Sequence, residues 1–229
     1  MGKAVKSILT DTSIVIVAHD VNISIFKPLW LVKTNIFRED ELQGNIIVSP
    51  VSVNIPTDNF GFVVFPNRIQ MSIPHLYPEA QSDINRILGG IVKTLPHTPY
   101  TAMGLNCEYL SAPEDEKAFE SWNKNLLSSK FSNIVLTSKN SNPRFGGYFS
   151  YDFLEARLKI DIKPIVAEPD IKRHSKSWSR GQDLIRINFN LHHDINGSEE
   201  KPELAILKAL EKWTETLSLS QEIVDLIHD

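Results

Sequence analysis

The fold is decided by residues 45–74, which read NIIVSPVSVNIPTDNFGFVVFPNRIQMSIP. Within this stretch residues 68–73 (RIQMSI) alternate polar and apolar side chains, and residues 60–65 (FGFVVF) are almost wholly apolar. Both patterns are typical of β-strands, and Pro66-Asn67 between them marks a tight turn. The stretch therefore predicts two antiparallel strands of a sheet that has one buried face.

Beyond this hairpin, the period of the apolar residues changes from that of a strand to that of a helix. Residues 76–96 read LYPEAQSDINRILGGIVKTLP and place an apolar stripe along one side of a helix from Pro78 to Leu95. Pro78 suits the first turn of this helix. Gly89-Gly90 lies inside the stripe, and we expect it to allow a close approach of the helix to the sheet or a mild bend.

The remaining segments extend the same two patterns along the chain. Further strands are predicted at Thr12–Ala18, Leu29–Ile36, Ile46–Ile55, Tyr100–Tyr109, Ile134–Thr137, Tyr148–Ile162 and Leu184–His193. Further helices are predicted at Pro113–Lys130 and Pro202–Leu217, followed by a short extra turn or helix at Leu219–His228 with Ser220 as its N-cap.

These elements predict an α+β fold, a mainly antiparallel sheet of about seven to nine strands with two long amphipathic helices on one face. We expect a single domain over residues 1–229. Both halves of the chain, about 1–112 and 113–229, end with alternating strands and then an amphipathic helix. A duplicated βββα-like unit is therefore a hypothesis, although the halves share no residue-level identity.

Composition gives the chain the character of an ordinary globular protein, with 41% hydrophobic and 23% charged residues. The formal net charge of −4 provides no overall attraction to nucleic acid or to an anionic membrane. Cys107 is the single cysteine, so an intramolecular disulfide is excluded. We find neither a signal-peptide pattern nor the roughly 20 apolar residues that a membrane span requires, and we expect a cytoplasmic protein.

The middle of the chain resembles a family of uncharacterised prokaryotic proteins. The residues that carry the resemblance are Tyr77-Pro78 at the helix start, the strand Gly104–Tyr109 (GLNCEY), and the strand Leu158–Ile162 (LKIDI). The chain departs from the pattern at Asn106, where the family has arginine. The resemblance implies the same fold, and it implies no activity because none is established for the family.

The residues most similar to a catalytic or metal site are His192, His193 and Asp194, at the end of a strand. Alternation directs His192 and His193 to opposite faces, so one metal ion could not bind both, and we expect the group to cap a turn instead. Cys107 would need a nearby histidine or a helix N-terminus to become a nucleophile. We therefore expect a buried, inert thiol, and we predict no metal and no cofactor.

A basic segment at residues 171–181 (IKRHSKSWSRG) is the other candidate site. It combines four basic side chains with one aromatic ring, the residues Lys172, Arg173, Lys176, Trp178 and Arg180. Such a combination could bind phosphates and stack on a base. Acidic neighbours favour a solvated connection instead, and we expect residues 164–183 to be the most mobile part of the protein.

Because no complete catalytic group of residues is present, the sequence favours a binding or assembly module without catalytic activity. Its partner would be another protein or a second copy of the chain, and not a membrane. Nucleic-acid binding through residues 171–181 is the first alternative. An enzyme of unknown class that uses His192, His193 or Cys107 is the second.

Overall fold

The computed structural model of the chain describes residues 6–125, 144–153, 155–167 and 178–228. Within these ranges the strands are β1 (Lys6–Ala18), β2 (Ile47–Val48), β3 (Val53–Pro56), β4 (Gly61–Phe65), β5 (Arg68–Ile73), β6 (Tyr100–Ala112), β7 (Gly147–Phe153), β8 (Ala156–Val166) and β9 (Asp183–Asp194). They form one sheet in the order β2-β3-β4-β5-β1-β6-β9-β8-β7, with every neighbouring pair antiparallel. The predicted α+β class with an antiparallel sheet is confirmed.

The order of the strands places β1 and β6, each 13 residues long, side by side at the centre of the sheet. After β1 the chain reaches one edge at β2 and returns through β3 and β4 to β5, which pairs with β1 on the side away from β6. After β6 it reaches the opposite edge at β7 and returns through β8 and β9 to β6. A helical segment follows each return.

The α-helices and the π-helical segment of the described residues are α1 (Pro28–Lys33), α2 (Ala80–Ile84), a π-helical segment (Asn85–Gly89), α3 (Gly90–Thr94), α4 (Glu116–Asn125), α5 (Pro202–Glu211) and α6 (Trp213–His228). Their apolar side chains pack with one face of the sheet into a single core. We call this side of the sheet the helical face. None of the described helices is both long and apolar enough to cross a membrane.

The helical face owes its burial to strict alternation along the strands. Phe62 and Met71 are fully buried, as are Ile14 and Leu191 on more central strands. The neighbouring residues point to the opposite face, where polar side chains such as Asn106 are only partly buried. We call this second side the polar face. Burial of one face fixes the register, because a shift by one residue would expose the whole apolar set.

The predicted helix at residues 78–95 is present as the continuous path from Ala80 to Thr94 through the π-helical segment. Its two glycines lie against a helix and a loop, and not against the sheet, which was the first of the two alternatives that the sequence left open. A Cβ on Gly89 would lie 3.4 Å from Leu207 of α5, and one on Gly90 would lie 3.3 Å from Ile36. A Cβ on Gly89 would therefore make an ordinary contact, whereas one on Gly90 would require Ile36 to shift by a few tenths of an ångström.

The predicted strand at Leu29–Ile36 is wrong, because the chain forms α1 there. Lys27 is extended, as expected before proline, and Pro28 then occupies the first turn of the helix. Apolar residues in a short segment do not distinguish a strand from one buried helical turn. Leu31 is the fully buried residue of this turn, and Leu29 stays exposed.

Further predictions need correction in detail. The predicted strand at residues 46–55 is divided into β2 and β3, which pair with each other. The predicted strand at residues 148–162 is a hairpin of β7 and β8, with Glu155 in the left-handed region at its turn (φ 58°). The C-terminal helix is divided at Lys212, which caps α5, and α6 then runs on to His228. Ser220 therefore lies inside α6 and is not an N-cap. The predicted strand at residues 134–137 lies outside the described residues.

Candidate functional site

The two adjacent histidines at the end of β9 point to opposite faces of the sheet, as alternation predicts. His193 pairs with Met103 on the helical face and is buried, with 8% of its surface exposed. His192 is partly buried on the polar face, opposite Arg157 of β8. Asp194 accepts hydrogen bonds from the backbone N–H groups of residues 196 and 197 at 3.1 and 3.3 Å. It thus caps the turn, as expected.

A cavity of about 750 Å³ opens beside His193. Its walls come from the β7–β8 turn, the end of β9, the loop that follows, and α5. The charged groups of the lining include Glu155, Lys208 and Lys212, and the apolar part consists of small side chains such as Ala205 and Ala209. Its size is typical of small-molecule sites.

The imidazole of His193 is the most perturbed group of this cavity. Its Nε2 atom is buried and has no hydrogen-bond partner. Burial, and after it the positive charges of Lys212 and His192, lower the pKa of His193 to about 4, while Glu155 opposes the shift. The imidazole is therefore neutral at physiological pH and can give or accept one hydrogen bond.

Cys107 lies far from the histidines, so the three predicted catalytic candidates do not converge. It sits on the helical face opposite Phe189, four residues along β9 from His193, which is roughly 13 Å at the rise of a strand. Its sulfur lies 3.8 Å from Thr12 Oγ1. Burial raises the pKa of the thiol to about 11, which keeps it protonated. The expected inert thiol fits this environment.

Only part of the predicted basic site can be placed. Lys172, Arg173 and Lys176 lie outside the described residues, as do residues 168–177 of the segment expected to be mobile. Arg180 is exposed. Trp178 is partly buried on the polar face, where it packs against a small cluster formed by Leu110, Ala167 and Leu184. This packing covers part of the Trp178 side chain.

Sequence reasoning missed the most exposed aromatic surface of the described residues, which lies on β7. β7 pairs with β8 on one side and ends the sheet on the other. Its side chains remain open to solvent, with exposed fractions of 63% for Tyr148, 49% for Phe149 and 43% for Tyr151. The sequence predicts one continuous strand at residues 148–162 and gives no sign of the turn after residue 153. It therefore did not reveal that the first half of this segment is the edge strand of the sheet.

Arg157 of β8 fixes the polar face of this edge. Its guanidinium donates hydrogen bonds to Asp152 Oδ1 at 2.9 Å, to Ser150 Oγ at 2.7 Å and to the Ser150 carbonyl at 2.9 Å. β7 is therefore held firmly against β8, and its two faces differ. Tyr148, Ser150 and Asp152 lie on the polar face, while Phe149 and Tyr151 lie on the helical face.

No group of three or more histidine, cysteine, aspartate or glutamate side chains in the described part of the chain could hold a metal ion. Comparisons with protein-family models, curated proteins and solved structures give no match to the chain. The candidate surfaces of the described residues are the β7 edge and the cavity beside His193.

Proposed function

We propose that the protein is a binding or assembly module that pairs with a second copy of itself through the β7 edge. The observation that supports this most directly is the row of exposed aromatic side chains on β7, a seven-residue strand whose outer side pairs with none of the described strands. An edge strand presents free backbone N–H and C=O groups to any chain that can pair with them. Exposed aromatic residues add apolar area that association would bury.

The two edges of the sheet differ in a way that supports this choice. β2, at the other edge, is only two residues long, and short edge strands discourage pairing. β7 is long enough to form an antiparallel hydrogen-bond ladder with a partner strand. Asp152 is its one charged residue, and Arg157 already neutralises it. The β7 edge thus lacks the usual features that prevent sheets from joining.

The sequence of β7, GYFSYDF, is complementary to itself when two copies run antiparallel with Ser150 at the two-fold axis. This register places Phe149 opposite the Tyr151 of the other copy, twice, on the helical face. It also places Tyr148 opposite Asp152, so that a phenol can donate to a carboxylate on the polar face. Aromatic cross-strand pairs contribute about 0.2–1 kcal/mol each. A closed two-fold dimer follows from such a self-complementary strand.

Light scattering coupled to size-exclusion chromatography tests the proposal between about 1 and about 200 µM protein. We expect the mass to rise from one chain to two within this range. Tyr151→Lys should abolish the rise, because it places a charge in the pairing surface. Leu226→Lys is the matched control, since Leu226 is 72% exposed on α6, and it should dimerise like the natural chain.

Two outcomes would overturn the proposal. The first is a natural chain that stays monomeric over the whole range. The second is a dimer that Tyr151→Lys leaves intact, which would place the contact elsewhere. Circular dichroism of both variants separates loss of pairing from loss of the fold.

We also propose that the two halves of the chain derive from one duplicated unit. The supporting observation is the equivalent path of each half, from a central strand to an edge and back, followed by a helical segment. This path groups β6 with the second half, so the unit boundary falls before Tyr100 and not near residue 112. A chain split at residues 98 and 99 and co-expressed as two pieces should reassemble. Failure to reassemble, where a split within β4 succeeds, would count against duplication.

A further inference from the structure

We propose that a second cavity, on the polar face of the sheet, is a binding site for a neutral sugar of one or two rings. The cavity has a volume of about 400 Å³ and is lined by residues of β1 and of β6 to β9. Its volume falls within the range of small-molecule sites. The inference does not depend on the β7 edge, because the hydrogen-bonding groups that support it lie on β8 and β9.

Strand pairing brings the polar side chains of this cavity together on one face. They come from three neighbouring strands and are Asn106 and Glu108 of β6, Asn188 and Asn190 of β9, and Lys159 and Asp161 of β8. The two asparagines of β9 are two residues apart, which is roughly 7 Å along a strand. Lys159 lies directly opposite Asn190. The sheet thus places amide, carboxylate and ammonium groups within reach of one small molecule.

Several of these groups have no hydrogen-bond or ion-pair partner in the part of the chain that the structure describes. The Asn190 amide nitrogen donates to Asn106 Oδ1 at 2.6 Å, which leaves the Asn190 carbonyl oxygen free. The Asn188 amide and the Lys159 ammonium group are also free. All three side chains are partly exposed, and none of their atoms is among the buried ones that lack a partner. A molecule in the cavity can therefore contact each of these groups.

The charges of the lining indicate that the ligand is neutral. The carboxylates of Asp11, Glu108 and Asp161 line the cavity together with the ammonium group of Lys159. An anion would meet a net negative charge, because the carboxylates outnumber the ammonium group. Lys159 disfavours a cation for the same reason, and Asp161 is already ion-paired with Lys163. An uncharged molecule with many polar groups fits this lining better than an ion does.

The hydroxyl groups of a sugar complement the free groups of the cavity. They lie on adjacent carbon atoms, and each hydroxyl can both donate and accept a hydrogen bond. The carbonyl oxygens of Asn188 and Asn190 accept from such hydroxyls, while the Asn188 amide nitrogen and the Lys159 ammonium group donate to them. One or two rings can therefore bond all of these groups together.

The aromatic side chain of the lining supports a sugar over a peptide. Tyr148 belongs to the lining and is 63% exposed on the polar face. The negative face of an aromatic ring attracts the polarised C–H groups of a sugar ring. Cys107 and Phe189, the other apolar residues of the lining, are buried on the helical face. The cavity therefore has no apolar pocket for the side chains of a peptide.

Nuclear magnetic resonance of the asparagine side-chain amides tests the proposal with four neutral disaccharides, which are maltose, cellobiose, lactose and chitobiose. We expect at least one of them to shift the Asn188 and Asn190 signals saturably, with a Kd of about 0.1–10 mM. Asn54 lies on the polar face of β3 and outside the cavity, so its signals should not shift.

Two further probes test the features of the ligand. Glycerol has hydroxyls on adjacent carbons but no ring, and glucuronate has a ring that carries a carboxylate. Each should bind at least about tenfold more weakly than the disaccharide that binds most tightly, because glycerol cannot cover Tyr148 and glucuronate is repelled by the carboxylates.

Variants assign the binding to the cavity. Asn188→Leu keeps the approximate volume of the side chain and removes its hydrogen-bonding groups, so it should weaken disaccharide binding at least about tenfold, measured on the Asn190 signals. Lys159→Met keeps the aliphatic chain and removes the ammonium group, and it should weaken binding about fivefold. Asn54→Leu is the matched control and should bind the disaccharide as the natural chain does.

Three results would overturn the proposal. They are Asn188 and Asn190 signals that none of the four disaccharides shifts at up to about 50 mM, glycerol or glucuronate that binds as tightly as the best disaccharide, and binding that Asn188→Leu leaves unchanged. The comparison of probes uses the natural chain, so it decides the proposal even if a variant fails to fold.

Discussion

Gly104 and Asn190 face each other so closely on the polar face that a Cβ on Gly104 would lie 2.9 Å from the amide nitrogen of Asn190. That amide donates a 2.6 Å hydrogen bond to Asn106 Oδ1, and the Asn106 amide donates to the Ser13 carbonyl at 3.3 Å. These two amide hydrogen bonds therefore join β9, β6 and β1. The position of the Asn190 amide in this arrangement depends on the absence of a Cβ at Gly104.

Gly104→Ala should displace the Asn190 amide and lower the free energy of unfolding by about 1–2 kcal/mol. Urea unfolding followed by tryptophan fluorescence measures the change. Gly61→Ala is the matched control, because no atom lies within 4 Å of a Cβ at that position on β4. The control should be neutral or slightly stabilising. Equal effects of the two exchanges would contradict the close contact.

Arg86, in the π-helical segment, holds two nearly buried carboxylates. Its guanidinium donates to both oxygens of Glu41 at 3.1 and 2.7 Å and to Asp83 at 2.7 Å, and it also bonds the Ile36 carbonyl at 2.6 Å. The side chains of Glu41 and Asp83 are only 8% and 6% exposed. Tyr77 adds a hydrogen bond to Asp83 at 3.1 Å.

We expect Arg86→Ala to lower the free energy of unfolding by about 3 kcal/mol, because it leaves two carboxylates poorly solvated and unpaired. Arg38→Ala provides the comparison. Arg38 pairs with the same Glu41 at 2.7 Å, but its side chain is 58% exposed, so its loss should cost less than about 1 kcal/mol. Urea unfolding of both variants at pH 7 distinguishes them. If the two variants lose similar amounts of unfolding free energy, the buried position of the Arg86 ion pairs is not what makes them stabilising.

The thiol of Cys107 should react slowly while the chain is folded. Its pKa of about 11, raised by burial from the ordinary 9, reduces the thiolate fraction at pH 8 about a hundredfold relative to an unfolded chain. Labelling with Ellman's reagent, with and without urea, measures the ratio. The same shift predicts that the thiol of Cys107 contributes to the stability of the folded chain. This contribution is fully present below pH 9 and is lost as the pH rises from 9 to 11. Rapid labelling of the folded chain would contradict this account.

His193 should make stability depend on pH in the opposite direction. Its pKa is about 4 when folded and 6.5 when unfolded, since burial and the charges of Lys212 and His192 outweigh the attraction of Glu155. The folded chain therefore binds fewer protons between these values, and stability present above pH 6.5 is lost as the pH falls toward 4. The loss is about 2–3 kcal/mol.

Urea unfolding of the natural chain and of His193→Gln at pH 7 and pH 4.5 isolates this contribution. The exchange should reduce the difference between the two pH values, because glutamine does not titrate. His97→Gln, at an exposed histidine, should leave the difference unchanged. If both exchanges behave alike, the imidazole of His193 is not the group responsible.

Much of the fold could be predicted because burial of one face leaves a clear period in the sequence. The strands at residues 68–73 and 184–193 and the helix after Pro78 all follow from it. The prediction failed where packing, and not period, decides the structure. Leu29–Ile36 is apolar in either conformation, and the break at Lys212 is invisible because Ile206, Leu210, Trp213 and Leu217 continue one stripe across it.

The candidate sites were predictable only in part. Alternation correctly separated His192 from His193, and the turn at Asp194 followed from its neighbours. The cavity beside His193 was not predictable, because Glu155 and Lys212 reach it from distant parts of the chain. The β7 edge was missed for a similar reason, since strand order depends on pairings that no local pattern records.

Hydrogen–deuterium exchange of the β7 backbone at two protein concentrations tests the central claim most directly. At about 1 µM, the amides that point away from β8 should exchange rapidly, and at about 200 µM pairing with a second copy should protect them. Peptides that contain β2 should not change. Exchange in β7 that is identical at both concentrations would contradict self-pairing through this edge.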